Sequence, residues 1–185
     1  MQWLELLSQS FPLSSPHFTP DHIPDLSGKV ALVTKGNTGI GKETVRALLV
    51  HNATVYLAAR SLDKAHAAIA DLKADTGKQA IYLKLDLANL ASVRAAASQF
   101  LAGETQLHVL FNNAPFDPHS GVMWPSHSEL TKDGFDLQFG TNVVGHYLLT
   151  KLLLLALLPA AHSSRDGKSR VDNTCSVAAY LDVLH

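Results

Sequence analysis

The fold of this chain is decided by the stretch VALVTKGNTGIG, residues 30–41. Five apolar or β-branched residues come first, and three glycines follow within the next seven positions. A short apolar run of this kind predicts a buried parallel strand, and the helical pattern of residues 40–51 predicts the helix that follows it. The glycines therefore lie in the loop where a strand of a parallel sheet passes into its helix.

The same strand–helix unit recurs along the rest of the chain. Strands are predicted at residues 54–59, 80–85, 107–111 and 170–174, and helices at residues 61–76, at residues 89–101 and from about Thr131 to just before Pro159. Strands that alternate with helices of this length predict an α/β fold with helices on both faces of a parallel sheet. We therefore expect a Rossmann-type doubly wound sheet in the strand order 3-2-1-4-5, formed by residues 26–185 after an irregular leader of residues 1–25.

The bulk composition excludes several classes of protein. Fifteen Lys and Arg against sixteen Asp and Glu give a net charge of -1, so nothing favours binding to nucleic acid or to an anionic membrane. The longest apolar run, residues 152–158, is far shorter than the ~20 residues of a transmembrane helix. The lone Cys175 excludes an intramolecular disulfide and suits a reducing, cytoplasmic setting. The ten histidines contain no close ligand pair, so we expect scattered surface or half-buried histidines and no metal site.

The loop after the first strand is the first candidate site, because ligands of an open parallel sheet bind at the carboxyl ends of its strands. Gly39 and Gly41 open a helix, where missing side chains let the backbone approach a pyrophosphate and the helix dipole favours its charge. The alternative is that these glycines serve only the turn. The strand before and the helix after them favour the nucleotide interpretation. The candidate cofactor-binding residues of this loop are Thr34, Lys35, Gly36, Asn37, Gly39, Ile40 and Gly41.

The residue after the second predicted strand is Arg60. Sites of this topology that select NAD usually have an acid at this position, whereas an arginine accommodates the 2′-phosphate of NADP. Arg60 therefore favours NADP as the cofactor, and the alternative is a solvated arginine at the start of a helix. Lys35 and Lys42 could add positive charge nearby.

Several motifs, taken in order, resemble those of a known family. They are VT at residues 33–34 with GIG at residues 39–41, DL at residues 86–87, NNA at residues 112–114, TNVVGH at residues 141–146 and NTCS at residues 173–176. In this order and at these separations the chain resembles the short-chain dehydrogenase/reductases, particularly their retinol-dehydrogenase-like members, from about residue 26 to the C-terminus. The resemblance implies NADP-dependent transfer of a hydride between carbonyl and alcohol compounds.

The resemblance also implies roles for single residues in cofactor binding. Asp86 resembles the acid that holds the adenine amino group, with Leu87 beside it. Asn113 and Ala114 resemble the turn that passes the nicotinamide ribose, and Asn112 resembles a residue that ties the sheet together. A cap or turn role is the alternative for each of these, and equally for Asn142 and Ser176, because Ser, Asn and Asp are favoured there for local hydrogen bonding.

Two further residues match catalytic positions of the family. Asn142 matches a helical asparagine that organises a proton-relay water, and Ser176 matches the serine whose hydroxyl hydrogen-bonds the substrate oxygen. The family also uses a tyrosine as acid/base with a lysine four residues later, beyond the serine, and no such pair follows Ser176. Tyr180 has no lysine partner, so we interpret it as a loop residue. Tyr147 and Lys151 have the required spacing but precede Ser176, and we expect them to be non-catalytic.

Two positions in the cofactor loops depart from the family pattern. Lys35 stands where the family has a glycine, and a left-handed backbone there would cost about 1–2 kcal/mol, which Gly36 relieves in part. Pro115 replaces the glycine after Asn-Asn-Ala, which removes a backbone donor and fixes φ at about -65°. Both changes weaken the expected binding of the cofactor.

Three interpretations of the function follow. The first is a truncated short-chain dehydrogenase/reductase that lacks the later strands, binds NADPH weakly or not at all and turns over no substrate. The second is a non-catalytic nucleotide-binding or regulatory protein that pairs with a full-length relative through the helix of residues 131–158. The third is a remnant without function, whose fifth strand is an unprotected sheet edge.

Overall fold

A computed structural model describes residues 18–113 and 129–175 of the chain, which divides into two units. The larger unit, Asp25–Thr174, contains all the strands of the described part. The other unit combines Met1–Pro24 with Cys175–His185, and its described part contains one 3-10 turn at Pro20–His22.

The larger unit alternates strands and helices as the sequence predicts. The strands are β1 at Val30–Thr34, β2 at Thr54–Ala59, β3 at Ile81–Lys84, β4 at Val109–Asn112 and β5 at Arg170–Asn173. The helices are α1 at Gly39–Val50, α2 at Leu62–Thr76, α3 at Leu90–Gly103 and α4 at His146–Ser163. Local chemistry explains several of these ends, since the side chains of Ser61 and Asn89 cap α2 and α3 and the left-handed Gly77 ends α2.

The five strands form one parallel sheet in the order β3-β2-β1-β4-β5. This confirms the predicted Rossmann-type topology. β1 is central, with Thr34 opposite Ala58 of β2 and Val33 opposite Phe111 of β4. The strand order reverses between β1 and β4, which is the point where open α/β sheets form a ligand crevice. At one edge of the sheet, all four residues of β5 are exposed.

Helices cover both faces of the sheet. α3 and α4 pack on one face, against Val30 and Leu32 of β1, while α1 and α2 pack on the other face, against Ala31 and Val33. All five residues of β1 are buried. A strand that is buried on both faces requires a continuous apolar sequence, and this explains why the VALVT run lacks the polar alternation of an exposed sheet.

The predicted start of the fourth helix near Thr131 is wrong. The Thr131 N–H donates to the Phe135 carbonyl at 2.8 Å and the Gly134 N–H donates to the Thr131 carbonyl at 3.1 Å, which closes a turn over this segment. The Asp136 carboxylate then accepts the Phe139 N–H at 2.8 Å and caps a helical turn at Leu137–Phe139. A π-helix at Gly140–Gly145 connects this turn to α4.

The predicted end before Pro159 is also wrong, because Pro159 lies inside α4, which continues to Ser163. A proline in a helix lacks the N–H that would bond the carbonyl four residues earlier. That carbonyl belongs to Leu155, a residue that is 72% exposed, so water can satisfy it. The buried Leu157 and Ala160 keep both sides of the proline packed on the core.

By length and composition, the helical stretch Leu137–Ser163 could cross a membrane. The expectation that the chain has no transmembrane helix was based on the apolar run of residues 152–158 alone and did not include this longer stretch. Leu149, Leu153 and Ala156 on α4 are fully buried in the cluster that α3 and the sheet also form. A core helix of a globular domain has the same length and hydropathy, so this stretch is only a weak indication of a membrane span.

Candidate functional site

The loops that follow β1 to β4 lie at one edge of the sheet. The strands end in register, so the residues after them are neighbours across the sheet. These residues include Lys35 after β1, Arg60 after β2, Asp86 shortly after β3 and Asn113 after β4. The Asn113 N–H donates to Thr34 Oγ1 at 2.8 Å, which joins the ends of β4 and β1. We refer to this edge as the rim.

Gly41 brings the start of α1 into close contact with the rim. A Cβ at this position would lie 2.4 Å from the Lys35 carbonyl oxygen and 2.5 Å from Asn113 Nδ2. The Asn113 amide also reaches the Thr34 carbonyl oxygen at 3.4 Å. Only glycine allows the β1 loop, the Asn113 side chain and α1 to approach this closely.

The other two glycines of the loop meet different requirements. Gly39 has a φ of +53° and no atom within 4 Å of where a Cβ would lie, so it takes a left-handed conformation beside open space. Gly36 is buried, and a Cβ there would lie 3.0 Å from Leu57 Cγ and 3.1 Å from Val45 Cγ2. Gly36 therefore lets the loop pack on the core, whereas Gly39 leaves room above the helix.

The amino end of α1 has the features of an anion site. Its N-cap residue, Thr38, makes no side-chain hydrogen bond to the helix, and the first turn contains no acidic residue. The first N–H groups of a helix lack partners within the helix and carry the positive end of its dipole, which favours a phosphate. In the same loop Ile40 is 72% exposed and Asn37 is half-buried.

The sequence predicted that Lys35 and Lys42 add positive charge near Arg60, and the structure differs from this prediction. Lys35 has a φ of 51°, so the strained left-handed backbone that we considered at this position is present. The Lys42 ammonium pairs with the Asp71 carboxylate of α2, which neutralises much of the charge that we expected it to add. Arg60 is exposed and forms no ion pair with the described part of the chain. Arg60 is therefore available to pair with an anionic ligand.

The turn after β3 is held by hydrogen bonds at both sides of Asp86. Its N–H donates to Ser92 Oγ at 3.0 Å, and its carboxylate accepts the Ala88 N–H at 3.1 Å. Leu87 is buried, and its carbonyl oxygen would lie 2.6 Å from a Cβ at Gly145. This turn is therefore packed against the π-helix.

A buried polar chain connects the rim to the π-helix. Thr34 Oγ1 lies 3.0 Å from His146 Nε2, and His146 Nδ1 lies 2.8 Å from the Asn142 carbonyl oxygen. Burial lowers the pKa of His146, and the hydrogen bond to the Asn142 carbonyl opposes this shift. His146 was not among the predicted site residues, although it follows Asn142 by four residues in the TNVVGH motif, a spacing that brings helical residues together.

Asn112 joins three elements beneath the rim. Its Nδ2 donates to Thr150 Oγ1 of α4 at 3.1 Å and to Asn173 Oδ1 of β5 at 2.8 Å. These bonds tie the end of β4 to its neighbouring strand and to the helix that covers it.

The predicted residues that remain are of two kinds, those outside the described part of the chain and those on α4. Ser176, Ala114, Pro115 and Tyr180 lie outside the described residues. Tyr147 is 65% exposed and Lys151 is exposed, both on the solvent side of α4. Neither Tyr147 nor Lys151 bonds to Thr34 or Asn113, so within the described part nothing supports them as a catalytic pair.

Comparison with known proteins decides the family. The sequence model of the family described as short chain dehydrogenase matches residues 29–185. The chain belongs to the short-chain dehydrogenase/reductase family. A short-chain dehydrogenase/reductase of Armillaria gallica is 57% identical to it over 180 residues, which cover 97% of this chain and 55% of the relative. Mouse retinol dehydrogenase 11 is 45% identical over 161 residues, which cover 86% of this chain and 47% of the relative.

Solved structures of other short-chain dehydrogenase/reductases have the same fold. The Pseudomonas aeruginosa RhlG/NADP active-site complex superposes with a TM-score of 0.64 at 26% identity, over 80% of this chain and 54% of that one. A metagenomic short-chain oxidoreductase in complex with NADP has a TM-score of 0.63 at 29% identity, over 80% of this chain and 62% of that one. The resemblance to retinol-dehydrogenase-like members is confirmed, and this short-chain dehydrogenase/reductase spans about half the length of the curated relatives it matches.

Proposed function

We propose that this short-chain dehydrogenase/reductase binds NADP(H) at the rim, and that the whole protein transfers a hydride between this cofactor and a small carbonyl or alcohol compound. The close approach at Gly41 is the observation that carries the proposal. It places the uncapped start of α1 beside the Lys35 loop and the Asn113 amide, where a Cβ would not fit. Two solved relatives of the same fold are complexes with NADP.

Different residues of the rim would bind different parts of the cofactor. The N–H groups at the start of α1 would bind the pyrophosphate, with the open space beside Gly39 to receive it. Arg60 would pair with the 2′-phosphate, since a guanidinium can donate two parallel hydrogen bonds to such a group. Asp86 would accept a hydrogen bond from the adenine amino group. Asn113, together with Ala114, would contact the nicotinamide ribose.

In the whole protein the nicotinamide would supply or accept the hydride. Ser176 would donate a hydrogen bond to the substrate oxygen, and Asn142 would hold a water for proton transfer. The proton itself needs an acid/base group, and no Y-x-x-x-K sequence follows Ser176 among these 185 residues. We therefore propose that these 185 residues by themselves turn over no substrate. We also propose that they bind NADPH weakly, because of the left-handed Lys35 and of Pro115.

The preference for NADPH can be tested through Arg60. Fluorescence titration should show tighter binding of NADPH than of NADH by the wild-type chain. Arg60→Ala removes a charge-assisted contact worth about 1.5–3 kcal/mol, so it should weaken NADPH binding by about tenfold or more and leave NADH binding unchanged. Arg94→Ala is the matched control, because Arg94 is an exposed arginine on α3. Equal affinities of wild type and Arg60→Ala for NADPH would contradict the assignment.

The absence of turnover is tested by following NADPH absorbance with a panel of aldehydes and ketones. We expect no consumption above the rate without protein. Reduction at ordinary enzymatic rates would contradict the proposal. Loss of that rate in both Tyr147→Phe and Lys151→Ala would then identify Tyr147 and Lys151 as the catalytic pair.

A second candidate function, pairing with a full-length relative or with another copy of this chain, is favoured by the exposed side of α4. Several large apolar side chains are exposed there and on the preceding π-helix: Val143, Tyr147, Leu154, Leu155 and Leu158. We expect Leu155→Glu to abolish pairing in light scattering and pull-down with such a relative, whereas Ala95→Glu on the exposed side of α3 should not. A strictly monomeric wild-type chain that captures no relative would exclude this function.

A further inference from the structure

We propose that His146 is a positioning residue, which holds the Asn113 turn and the Asn142 carbonyl in a fixed relation through the Thr34 hydroxyl. The inference rests on the proposed cofactor site, because Asn113 and Asn142 would lie at the nicotinamide end of it. His146 itself is not expected to touch the cofactor, since its ring is buried between Thr34 and Asn142.

Donors and acceptors set the direction of each bond in this chain. The Asn142 carbonyl can only accept, so His146 Nδ1 carries a proton. In the neutral ring Nε2 is then an acceptor, and the Thr34 hydroxyl donates to it at 3.0 Å. The same hydroxyl oxygen accepts the Asn113 N–H at 2.8 Å. The bonds therefore run in one direction from Asn113 through Thr34 and His146 to Asn142.

The surroundings of His146 favour this neutral tautomer. The residue is 7% exposed, and desolvation disfavours a charged imidazolium. A protonated ring would donate from Nε2 to Thr34 Oγ1, and the Thr34 hydroxyl would have to turn towards the Phe111 carbonyl oxygen, 3.3 Å away. With a neutral ring, the Thr34 hydroxyl can donate over the shorter of the two distances, the 3.0 Å to His146 Nε2.

The π-helix is closely packed at its two ends. A Cβ at Gly140 would lie 2.4 Å from Thr131 Cγ2, and a Cβ at Gly145 would lie 2.6 Å from the Leu87 carbonyl oxygen. Asn142 lies between these two contacts, in a wider helical turn than that of an α-helix. The hydrogen bond from His146 adds a side-chain contact at the carbonyl in this middle part.

Substitutions of different length separate the two bonds of the ring. His146→Asn keeps an amide donor near the position of Nδ1, and His146→Gln keeps an amide near the position of Nε2, while His146→Phe removes both bonds and fills the space. His108→Phe is the matched control. His108 is also buried, accepts the Val30 N–H through Nδ1 at 3.0 Å and lies at the opposite, amino end of the sheet.

The first measurement is the affinity of the variants for NADPH. We expect His146→Phe to weaken binding by about tenfold, roughly the effect of one hydrogen bond, with smaller losses in His146→Asn and His146→Gln. His108→Phe should lose stability but keep the wild-type affinity. Thr34→Val should bind NADPH as weakly as His146→Phe. The double variant of Thr34→Val with His146→Phe should bind no more weakly than either single variant, because both changes break one chain of bonds.

The second measurement needs no cofactor. Imidazole nitrogen spectra of the unliganded chain should show His146 with its proton on Nδ1 at neutral pH. The backbone amide resonance of Asn113 should move in His146→Phe and stay in place in His108→Phe.

The two measurements separate failure of this inference from failure of the cofactor site. Wild-type NADPH affinity in a folded His146→Phe chain, together with an unmoved Asn113 amide, would overturn the positioning role and leave the cofactor site standing. Coupling between His146 and Asn113 in a chain that binds no NADPH would refute the cofactor site and support the link. A proton on Nε2 of His146 would overturn the inference directly.

Discussion

Replacing Gly41 by alanine tests the geometry of the rim. The added Cβ would lie 2.4 Å from the Lys35 carbonyl oxygen and 2.5 Å from Asn113 Nδ2. These distances are about 1 Å shorter than ordinary contacts of a carbon atom. Because the Lys35 carbonyl is part of the backbone, the loop itself has to move. Overpacking of this kind costs about 1–3 kcal/mol of unfolding free energy.

The expected effect of Gly41→Ala can be measured in two ways. For a chain of this size 1 kcal/mol changes Tm by about 2–4 °C, so the variant should melt about 2–12 °C below wild type. The displaced loop also moves the start of α1 and the Asn113 amide from their positions around the proposed cofactor. We therefore expect NADPH affinity to fall by about tenfold or more. Circular dichroism during heating and NADPH fluorescence titration measure the two quantities.

Gly103→Ala is the matched control for this experiment. The nearest atom to a Cβ at Gly103 would be the Tyr56 hydroxyl oxygen at 3.6 Å, an ordinary contact. Gly103 is the last residue of α3, where alanine is favoured over glycine by up to about 1 kcal/mol. This variant should melt at or slightly above the wild-type temperature and bind NADPH normally. If Gly41→Ala behaved in the same way as Gly103→Ala, the reasoning about the rim would be refuted.

Three further predictions concern single side chains. Lys35→Gly should raise the unfolding free energy by about 1 kcal/mol, because glycine takes the left-handed backbone without strain. Urea denaturation measures this, and a lower unfolding free energy in the variant would contradict it. Below pH 6.5 the free energy of unfolding should fall, because burial lowers the pKa values of His146 and His108, so that the unfolded chain binds more protons than the folded one. Urea unfolding between about pH 7 and pH 5 measures this fall. Replacement of both histidines by phenylalanine should largely remove it. If the unfolding free energy of that variant depended on pH as in wild type, the histidines would be excluded as the source. Lys42→Ala should leave the Kd of NADPH within about twofold of wild type, since Asp71 already pairs with that ammonium, and a tenfold loss would show that Lys42 binds the cofactor.

Much of the fold could be predicted because its signals are local. The VALVT run, the glycines after it and the repeated helical periods lie within short segments, and parallel topology then follows from the strand–helix alternation. The position of Arg60 at the rim followed in the same way, since it directly succeeds a predicted strand. Residues that follow strands of a parallel sheet are brought to one edge by the topology alone.

The errors arose where distant contacts decide the structure. The turn near Thr131 is closed by hydrogen bonds that helical periodicity does not reveal, and Pro159 stays helical because neighbouring residues pack on the core. Asp71, the partner of Lys42, is 29 residues away in the sequence, and Thr34, one of the two partners of His146, is 112 residues away. From spacing alone the histidines were expected at surface or half-buried positions, whereas His108 and His146 are buried and hydrogen-bonded.

The central claim is that the strand-end loops of this chain form one dinucleotide site. Titration of the isotope-labelled chain with NADPH, followed through its backbone amide resonances, tests this most directly. We predict saturable shifts concentrated in residues 35–41, at Arg60, at Asp86 and at Asn113. A folded chain whose resonances do not move at millimolar NADPH, or move mainly around His66 and Tyr82 between α2 and β3, would contradict the claim.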